Sequence, residues 1–177
     1  MTSAKLKKIK LIISDVDGVI TDGRIHLLGD KEIKVFSVRD ASPIEMALRA
    51  GLKFLLFTSR KSDSIIKRAQ ELNVDLAFKG DVKAQGGDLP AFVKERYGVT
   101  PEEVLYVGDD WSDLHSMTLF GLSATPGDGA PENKAIATIV TSAKAGEGVL
   151  REVIEMVMKA QETWDKFLVE YHNSLSV

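Results

Sequence analysis

Short apolar runs alternate with amphipathic segments along this 177-residue chain. The apolar runs predict buried strands, and segments with apolar residues three and four positions apart predict helices that pack one face on a sheet. Strands are predicted at residues 10–14, 53–58, 74–80, 104–110, 122–125 and 138–141. Helices are predicted at 42–51, 62–73, from about 83 or 88 to 97, at 112–121 and from 148 to about 171. This alternation predicts an α/β fold with a mostly parallel sheet.

Two segments carry additional local signals. Residues 24–38 alternate apolar and polar positions around Gly29 and Asp30, which predicts a β-hairpin. Ser42, with Pro43 after it and Glu45 three residues on, predicts a capped helix start.

Composition narrows the function classes. The net charge of −3 and pI of about 5.7 argue against a nucleic-acid binder, which would carry a basic stripe. With no cysteines, the chain has neither disulfides nor thiol catalysis, which fits the cytoplasm. No run approaches the roughly 18 apolar residues of a membrane span, and we predict no signal peptide.

The stretch DVDG, Asp15 to Gly18, places two carboxylates at the end of a predicted strand. Residues two apart on an extended chain share a face, so both can point into one small volume. They repel each other unless a cation or a proton lies between them. A solvated acidic turn is the ordinary alternative. An EF-hand is excluded, because its fifth, sixth and twelfth positions would be Val19, Ile20 and His26.

Polar residues follow other predicted strands as well. Asp109 and Asp110 end a strand, Thr58 ends another, and Lys83 lies a little downstream of a third. In parallel α/β sheets, ligands bind beyond the carboxyl ends of the strands. Carboxylates suit Mg²⁺, while a hydroxyl and an amine suit phosphate oxygens. The pattern therefore predicts a site for magnesium and a phosphate.

In this order the segments DVDG, LLFTS (55–59), Lys83 and VGDDWSD (107–113) resemble the four motifs of the haloacid dehalogenase (HAD) superfamily. The resemblance implies a single hydrolase domain over residues 1–177, with a Rossmann-like three-layer α/β sandwich. The hairpin at about 24–38 would protrude, and the C-terminal helix and tail would occupy about 148–177. The gaps of 43 residues from Asp15 to Thr58 and 25 from Thr58 to Lys83 leave no room for a cap domain.

The resemblance also implies roles. Asp15 would be the nucleophile, and Asp17 would protonate the leaving alcohol and then activate water. Mg²⁺ would touch Asp15, the main-chain oxygen of Asp17, and Asp109. Thr58 and Lys83 would hold the phosphoryl group. Supporting roles fall to Gly18 in the turn, to Asp110 as the anchor of Lys83 or of a metal-bound water, and to Asp113 in orienting the loop.

DVDGVITDG, VRD (38–40), TSR (58–60), GDD and GEGVLRE (146–152) resemble the capless 3-deoxy-D-manno-octulosonate 8-phosphate (KDO 8-phosphate) phosphatases of lipopolysaccharide biosynthesis. That resemblance implies a cytoplasmic homotetramer in which hairpins meet at the centre and a neighbouring subunit, with a C-terminal tail, covers each site. Ser59, Arg60 and Arg39 are the candidate substrate-binding residues, since a guanidinium suits a sugar-acid carboxylate.

Departures from the family pattern concern the substrate. RDASPI (39–44) replaces RDGxGI, TSR replaces TGR, and AGEGVLRE (145–152) replaces GGxGAVRE. The alternatives are therefore a phosphatase of the same branch acting on 2-keto-3-deoxynononate 9-phosphate or another small ester, and a non-catalytic oligomerisation module related to the C-terminal domains of cytidylyltransferases. The role of Asp22 and the order of the tail at 172–177 are left open.

Overall fold

A computed structural model describes residues 2–84 and 88–174. Its main sheet has six strands in the order β5-β4-β1-β6-β7-β8, and every neighbouring pair is parallel. These strands are β1 (Leu11–Ser14), β4 (Lys53–Thr58), β5 (Asp75–Phe78), β6 (Val104–Val107), β7 (Leu122–Thr125) and β8 (Ile139–Val140). The predicted α/β class with a parallel central sheet is confirmed.

Helices cover both faces of this sheet. They are α1 (Thr2–Leu6), α2 (Ala41–Arg49), α3 (Asp63–Leu72), α4 (Lys79–Ala84), α5 (Leu89–Tyr97), α6 (Leu114–Thr118), α7 (Pro131–Ile136), α8 (Val149–Ala160) and α9 (Trp164–Ser174). Alternate residues along the strands point to opposite faces, so Ile12 joins the core beneath α2, α3 and α8, while Ile13 joins the core beneath α5 and α6. The two cores complete a three-layer sandwich.

The order of the strands places the switch point beside β1. From β1 the chain adds β4 and β5 on one side, then crosses back to add β6, β7 and β8 on the other. Ser14, the last residue of β1, pairs with Leu56 of β4 and Val107 of β6. Ligand sites of such folds lie at this point, beyond the carboxyl ends of the strands.

The predicted hairpin forms a separate two-stranded antiparallel sheet. It consists of β2 (His26–Leu28) and β3 (Lys31–Ile33), within the predicted limits. Ser64 of α3 donates a hydrogen bond to the Glu32 carbonyl oxygen at 3.0 Å, which anchors β3 to the body of the molecule. Between β1 and β5, the described chain contains this hairpin, short helices and β4, and no cap domain.

Three local predictions differ from the structure. α2 begins at Ala41 rather than after a Ser42 cap, because a short 3₁₀ helix at Val38–Asp40 leads directly into it. The C-terminal helix is divided into α8 and α9 around Glu162, which adopts a left-handed φ of 60°. The lysine-rich run KLKKIK (5–10), which leads into an apolar run and therefore predicts a solvated strand entry, begins within α1. Of the tail, residues 175–177 lie outside the described part of the chain.

Candidate active site

Asp15 is the first residue beyond β1. Its backbone N–H continues the pairing with β6 by donating to the Val107 carbonyl at 2.9 Å. Its carboxylate Oδ1 accepts a hydrogen bond from the backbone N–H of Val16 at 2.7 Å. The side chain is almost fully buried yet lines an open cavity of about 530 Å³. The fold therefore places the Asp15 carboxylate at the floor of a cavity.

Gly18 lets Asp109 approach this floor from β6. The Gly18 backbone has a left-handed φ of 82°, and a Cβ there would lie 1.9 Å from Asp109 Oδ2. No residue with a side chain fits this position, so the turn after β1 requires glycine for both conformation and space. The sequence prediction that Gly18 supports the turn gains a second reason, which is the close approach of Asp109.

The amine at the site belongs to Lys79 and not to Lys83. Lys79 Nζ lies 3.3 Å from Asp15 Oδ2 and 2.7 Å from Asp113 Oδ1. The prediction of Lys83 was wrong because β5 ends at Phe78, so that Lys79 already leaves the strand at the edge where the site forms. Lys83 lies one turn further along α4, is exposed, and is not among the described residues that line the cavity.

Asp113, which has no solvent exposure, holds the site together. Its Oδ1 accepts hydrogen bonds from Lys79 Nζ and from the hydroxyl of Tyr106, both at 2.7 Å. Its Oδ2 accepts from the backbone N–H of Asp109 at 3.2 Å. The predicted anchor of the lysine, Asp110, is instead exposed at the cavity and accepts from the Trp111 backbone N–H at 2.8 Å. Asp113 therefore takes the anchoring role in addition to orienting the loop.

Like charges and burial perturb the ionisation of this cluster. Burial and the nearby Asp113 carboxylate raise the pKa of Asp15 to about 7, against the opposing effect of Lys79. Burial and the charges of Asp113 and Asp110 raise the pKa of Asp109 to about 7. Burial disfavours the charged amine of Lys79, yet Asp15 and Asp113 raise its pKa above the ordinary value. The cluster therefore holds more negative than positive charge, and a further cation would relieve it.

The donor set fits Mg²⁺. Carboxylate oxygens of Asp15, Asp109 and Asp113 lie within 4.8 Å of one another. When all three carboxylates are ionised they face one lysine, which leaves a charge of about −2 that a divalent cation would neutralise. Because Asp113 already accepts three hydrogen bonds, Asp15 and Asp109 are the side chains best placed to bind the ion. Hard oxygen ligands in small number match the usual magnesium sites of phosphate-binding proteins.

Magnesium is expected to raise the Tm of the protein more at about pH 8 than at about pH 5.5, because protons compete with the ion for its ligands. Without the ion, folded Asp15 and Asp109 keep protons up to about pH 7, whereas the unfolded carboxyls release them near 3.8. Stability of the metal-free protein therefore falls as the pH rises through this interval. Thermal unfolding with MgCl₂ against NaCl of equal ionic strength measures both effects. Equal shifts at the two pH values would contradict the assignment of the ligands.

The remaining candidate residues divide between two cavities. Asp17, Thr58, Ser59, Arg60 and Asp110 line the cavity above Asp15, together with Gly23, Asp109 and Ser112. Thr58 is buried at the end of β4, and its hydroxyl accepts from the Arg60 backbone N–H at 3.2 Å. Arg39 is not brought there, because the 3₁₀ helix at Val38–Asp40 places it on a second cavity, of about 370 Å³, beside Gly148.

Three of the residues that depart from the family pattern lie in two different parts of the structure. Ser59 lines the main cavity. Ala41 and Pro43 lie in the first turn of α2, and Pro43 is counted among the buried residues of that helix. Of these three residues, only Ser59 is among the described residues that line the cavity above Asp15. Asp22 has a local contact, since its Oδ1 accepts from the Arg24 backbone N–H at 3.0 Å.

The sequence pattern does not identify three residues near the site. Tyr106 is buried inside β6, and its pKa is raised well above the ordinary value by burial and by the charge of Asp113, so it remains a hydrogen-bond donor. Lys34, directly after β3, pairs with Asp17, and Glu32 of β3 pairs with Lys34. In the sequence, Tyr106 occupies a position of its strand that looks like that of an ordinary core residue, so nothing there marks it as part of the site. The contact of Lys34 with Asp17 joins residues 17 positions apart, so no local sequence pattern predicts it.

Comparison with known proteins places the chain among characterised relatives. Residues 83–153 match the haloacid dehalogenase-like hydrolase family. The chain is 36% identical to the KDO 8-phosphate phosphatase of Escherichia coli K12 over 166 residues, which cover 92% of this chain and 86% of the relative.

Solved structures agree with this placement. The KDO 8-phosphate phosphatase of Moraxella catarrhalis, in complex with magnesium, phosphate and KDO, is 29% identical with a TM-score of 0.87, and the match covers 96% of this chain and 97% of the other. The cobalt-bound phosphatase of Haemophilus influenzae is 32% identical with a TM-score of 0.82, and the match covers 89% and 92%. The chain therefore belongs to the haloacid dehalogenase-like hydrolases, within the family of the KDO 8-phosphate phosphatases.

Proposed function

We propose that this protein is a Mg²⁺-dependent phosphatase that hydrolyses KDO 8-phosphate to KDO and phosphate. The observation that carries the proposal is the arrangement around Asp15, where a buried carboxylate at the end of β1 meets Lys79, Asp109 and Asp113 at the floor of a cavity. Relatives named as KDO 8-phosphate phosphatases match over 92% of the chain. Bound magnesium would neutralise charge between the phosphate and the carboxylates.

The reaction would proceed in two steps. An oxygen of Asp15 attacks phosphorus, the bond to the sugar oxygen breaks, and Asp17 donates its proton to the leaving alcohol. Water then attacks the phosphorus of the aspartyl-phosphate, gives its proton to Asp17, and releases phosphate and the free Asp15 carboxylate. Both aspartates line the cavity, which supports this division of roles. Lys79 steadies Asp15 from beneath, and Thr58 offers a hydroxyl and backbone donors to the phosphoryl oxygens.

Arg60 is the residue we propose for the sugar-acid carboxylate. It lines the cavity and its side chain is 47% exposed, so a ligand can reach it. In the structure its guanidinium pairs with Glu32 at 3.2 Å and lies 3.7 Å from Asp17. A substrate carboxylate would therefore share or replace these partners. Ser59, next to Arg60 on the same cavity, is a further proposed contact.

A panel of phosphate esters tests the substrate. We expect kcat/KM for KDO 8-phosphate to exceed that for a pentose 5-phosphate, which lacks the carboxylate, by about 10- to 100-fold, because a hydrogen bond to a charged group is worth about 1.5–3 kcal/mol. 2-Keto-3-deoxynononate 9-phosphate keeps the carboxylate and is the competing substrate. Equal and weak rates across the panel would reject KDO 8-phosphate, and a preference for the nononate ester would select that alternative.

We also propose a cytoplasmic homotetramer in which a neighbouring subunit completes each site. Apolar side chains on and beside the hairpin support this assembly, with Leu27 77% exposed and Leu28 67% exposed. Such a surface usually meets a partner. In the described part of the chain, no helix is both long and apolar enough to cross a membrane. Light scattering measures the assembly, and a monomer at micromolar concentration would contradict it. The non-catalytic module is disfavoured, because the carboxylates around Asp15 are all present.

A further inference from the structure

The hairpin brings a buried amine to Asp17. Lys34 follows β3 directly, and its side chain has no solvent exposure. Its Nζ pairs with Asp17 Oδ1 and lies 3.2 Å from Glu32 Oε1. A buried ammonium is strongly unfavourable unless carboxylates compensate it, so the position of Lys34 depends on these two acids.

Glu32 and Arg60 close the arrangement into a ring of alternating charge. Glu32 Oε2 lies 3.2 Å from Arg60 Nη1, and Arg60 Nε lies 3.7 Å from Asp17 Oδ2. Burial opposes the charge of Glu32, but Lys34 and Arg60 lower its pKa below the ordinary value. Asp17 and Glu32 therefore each lie between the same two cations, those of Lys34 and Arg60. We call these four residues, Asp17, Glu32, Lys34 and Arg60, the hairpin charge ring.

The position of the ring is fixed by the body of the same chain. Ser64 donates to the Glu32 carbonyl, and the Arg68 guanidinium donates to the Ser37 carbonyl at 3.1 Å. These bonds anchor both β3 and the segment that follows Lys34 to α3. Lys34 therefore reaches Asp17 from a segment that is anchored to α3 on both sides. Its contact with Oδ1 orients the Asp17 carboxylate.

We propose that Lys34 is a positioning residue for proton transfer by Asp17. Lys34 occupies Asp17 Oδ1, and the Thr21 hydroxyl lies 3.5 Å from the same atom. Arg60 Nε approaches Oδ2 only to 3.7 Å, which is too long for a hydrogen bond, so Oδ2 can exchange the proton with the leaving oxygen. The inference rests on the proposed function, because it takes Asp17 as the acid and base. It assigns the hairpin a part in the chemistry beyond assembly.

The test separates proton delivery from general support of the fold. Loss of the sugar alkoxide from KDO 8-phosphate needs a proton, whereas nitrophenolate leaves p-nitrophenyl phosphate without one. We expect Lys34→Met to lower kcat/KM for KDO 8-phosphate by about 10- to 100-fold, part of the usual 10²–10⁴ contribution of a general acid, and for p-nitrophenyl phosphate by less than about threefold. Lys34→Arg, which keeps the positive charge, should recover part of the loss.

Two further variants locate the effect. Lys31→Met removes the same charge from an exposed position of β3 and is expected to leave both rates unchanged. In an Asp17→Asn background, Lys34→Met should add less than about a twofold loss, because residues that act through one another are not additive. Circular dichroism, Tm and light scattering verify that each variant folds and assembles. If Lys34→Met does not fold, Lys34→Gln makes the same comparison.

The outcomes are distinguishable. Equal losses on both esters, or a full additional loss in the Asp17→Asn background, would show that Lys34 supports only the fold and would overturn this inference while the phosphatase remains. No hydrolysis of any ester by the unmodified protein with Mg²⁺ would overturn the proposed function and this inference with it. Selective loss on KDO 8-phosphate together with non-additivity would establish Lys34 as the positioning residue.

Discussion

Asp15→Asn is expected to lower kcat for KDO 8-phosphate by at least ~10⁴-fold, because removal of a nucleophile eliminates the covalent route. The carboxamide keeps the shape of the side chain and retains an oxygen that can accept from the Val16 backbone N–H. It is a much weaker nucleophile and a poorer magnesium ligand. Steady-state release of phosphate in the presence of Mg²⁺ measures the loss.

Asp22→Asn is the matched control for this variant. It removes the same charge from the same loop, but Asp22 is exposed and hydrogen-bonded only locally in the contacts seen, to the Arg24 backbone. We expect activity within about twofold of the unmodified protein, as for most surface substitutions. Activity of Asp15→Asn comparable with that of Asp22→Asn would reject the proposed mechanism.

The stability of Asp15→Asn gives a second readout. In the metal-free protein, burial and Asp113 make the ionised Asp15 carboxylate unfavourable. Removing this charge should therefore raise the Tm at about pH 8, where the carboxylate is ionised, and change it less at about pH 5, where it is protonated. The stabilisation by Mg²⁺ should decrease at the same time. An inactive variant with a higher Tm cannot be explained by misfolding.

The strand-end rule accounts for most of the site that could be predicted from sequence. Asp15, Thr58 and Asp109 each follow a buried apolar run, and parallel strands bring their carboxyl ends to one edge of the sheet. This inference needs only the periodicity and the order of the chain. It does not need the order of the strands within the sheet, which places β1 between β4 and β6.

The errors have a common origin in long-range geometry. The residues around Ser42 form a valid local cap signal, but the residues before it already form a 3₁₀ helix. Asp40 therefore precedes α2, and its carboxylate does not cap the helix but accepts from the Arg151 backbone N–H at 3.0 Å. Asp110 and Asp113 are equivalent as residue types near one strand end. Only the folded loop decides that Asp113 points inward to Lys79 and Tyr106. Lys34 reaches Asp17 through hairpin packing that no short pattern specifies.

The lysine is the most informative of these errors, since the two alternatives differ by one helical turn. The sequence predicts that strand β5 continues to residue 80, which would make Lys79 part of the strand and leave Lys83 as the first amine beyond it. The strand ends at Phe78, and α4 begins at Lys79. Lys79 Nζ thereby lies between Asp15 and Asp113, while Lys83 is exposed.

Lys79→Met is expected to lower kcat/KM by about 10²- to 10³-fold, since a preorganised charge at the reacting centre of an enzyme is typically worth about 2.7–4 kcal/mol. Methionine has a similar length and fills the space of the lysine stem, but it leaves Asp15 and the buried Asp113 without their shared cation. The loss should appear with both KDO 8-phosphate and p-nitrophenyl phosphate. This distinguishes Lys79 from Lys34, because Lys79 acts on the nucleophile and the phosphoryl group rather than on the leaving group.

Lys83→Met provides the control on the same helix and the same type of side chain. Because Lys83 is exposed in the last turn of α4, we expect its replacement to change kcat/KM by less than about twofold. A large loss in Lys83→Met with little loss in Lys79→Met would reinstate the sequence-based assignment and contradict the geometry of the site. A large loss in Lys79→Met with little loss in Lys83→Met would show that the lysine directly after β5 supplies the cation of the site. The end of β5 decides this, since a helix that began one turn later would place the amine of Lys83 at Asp15 instead.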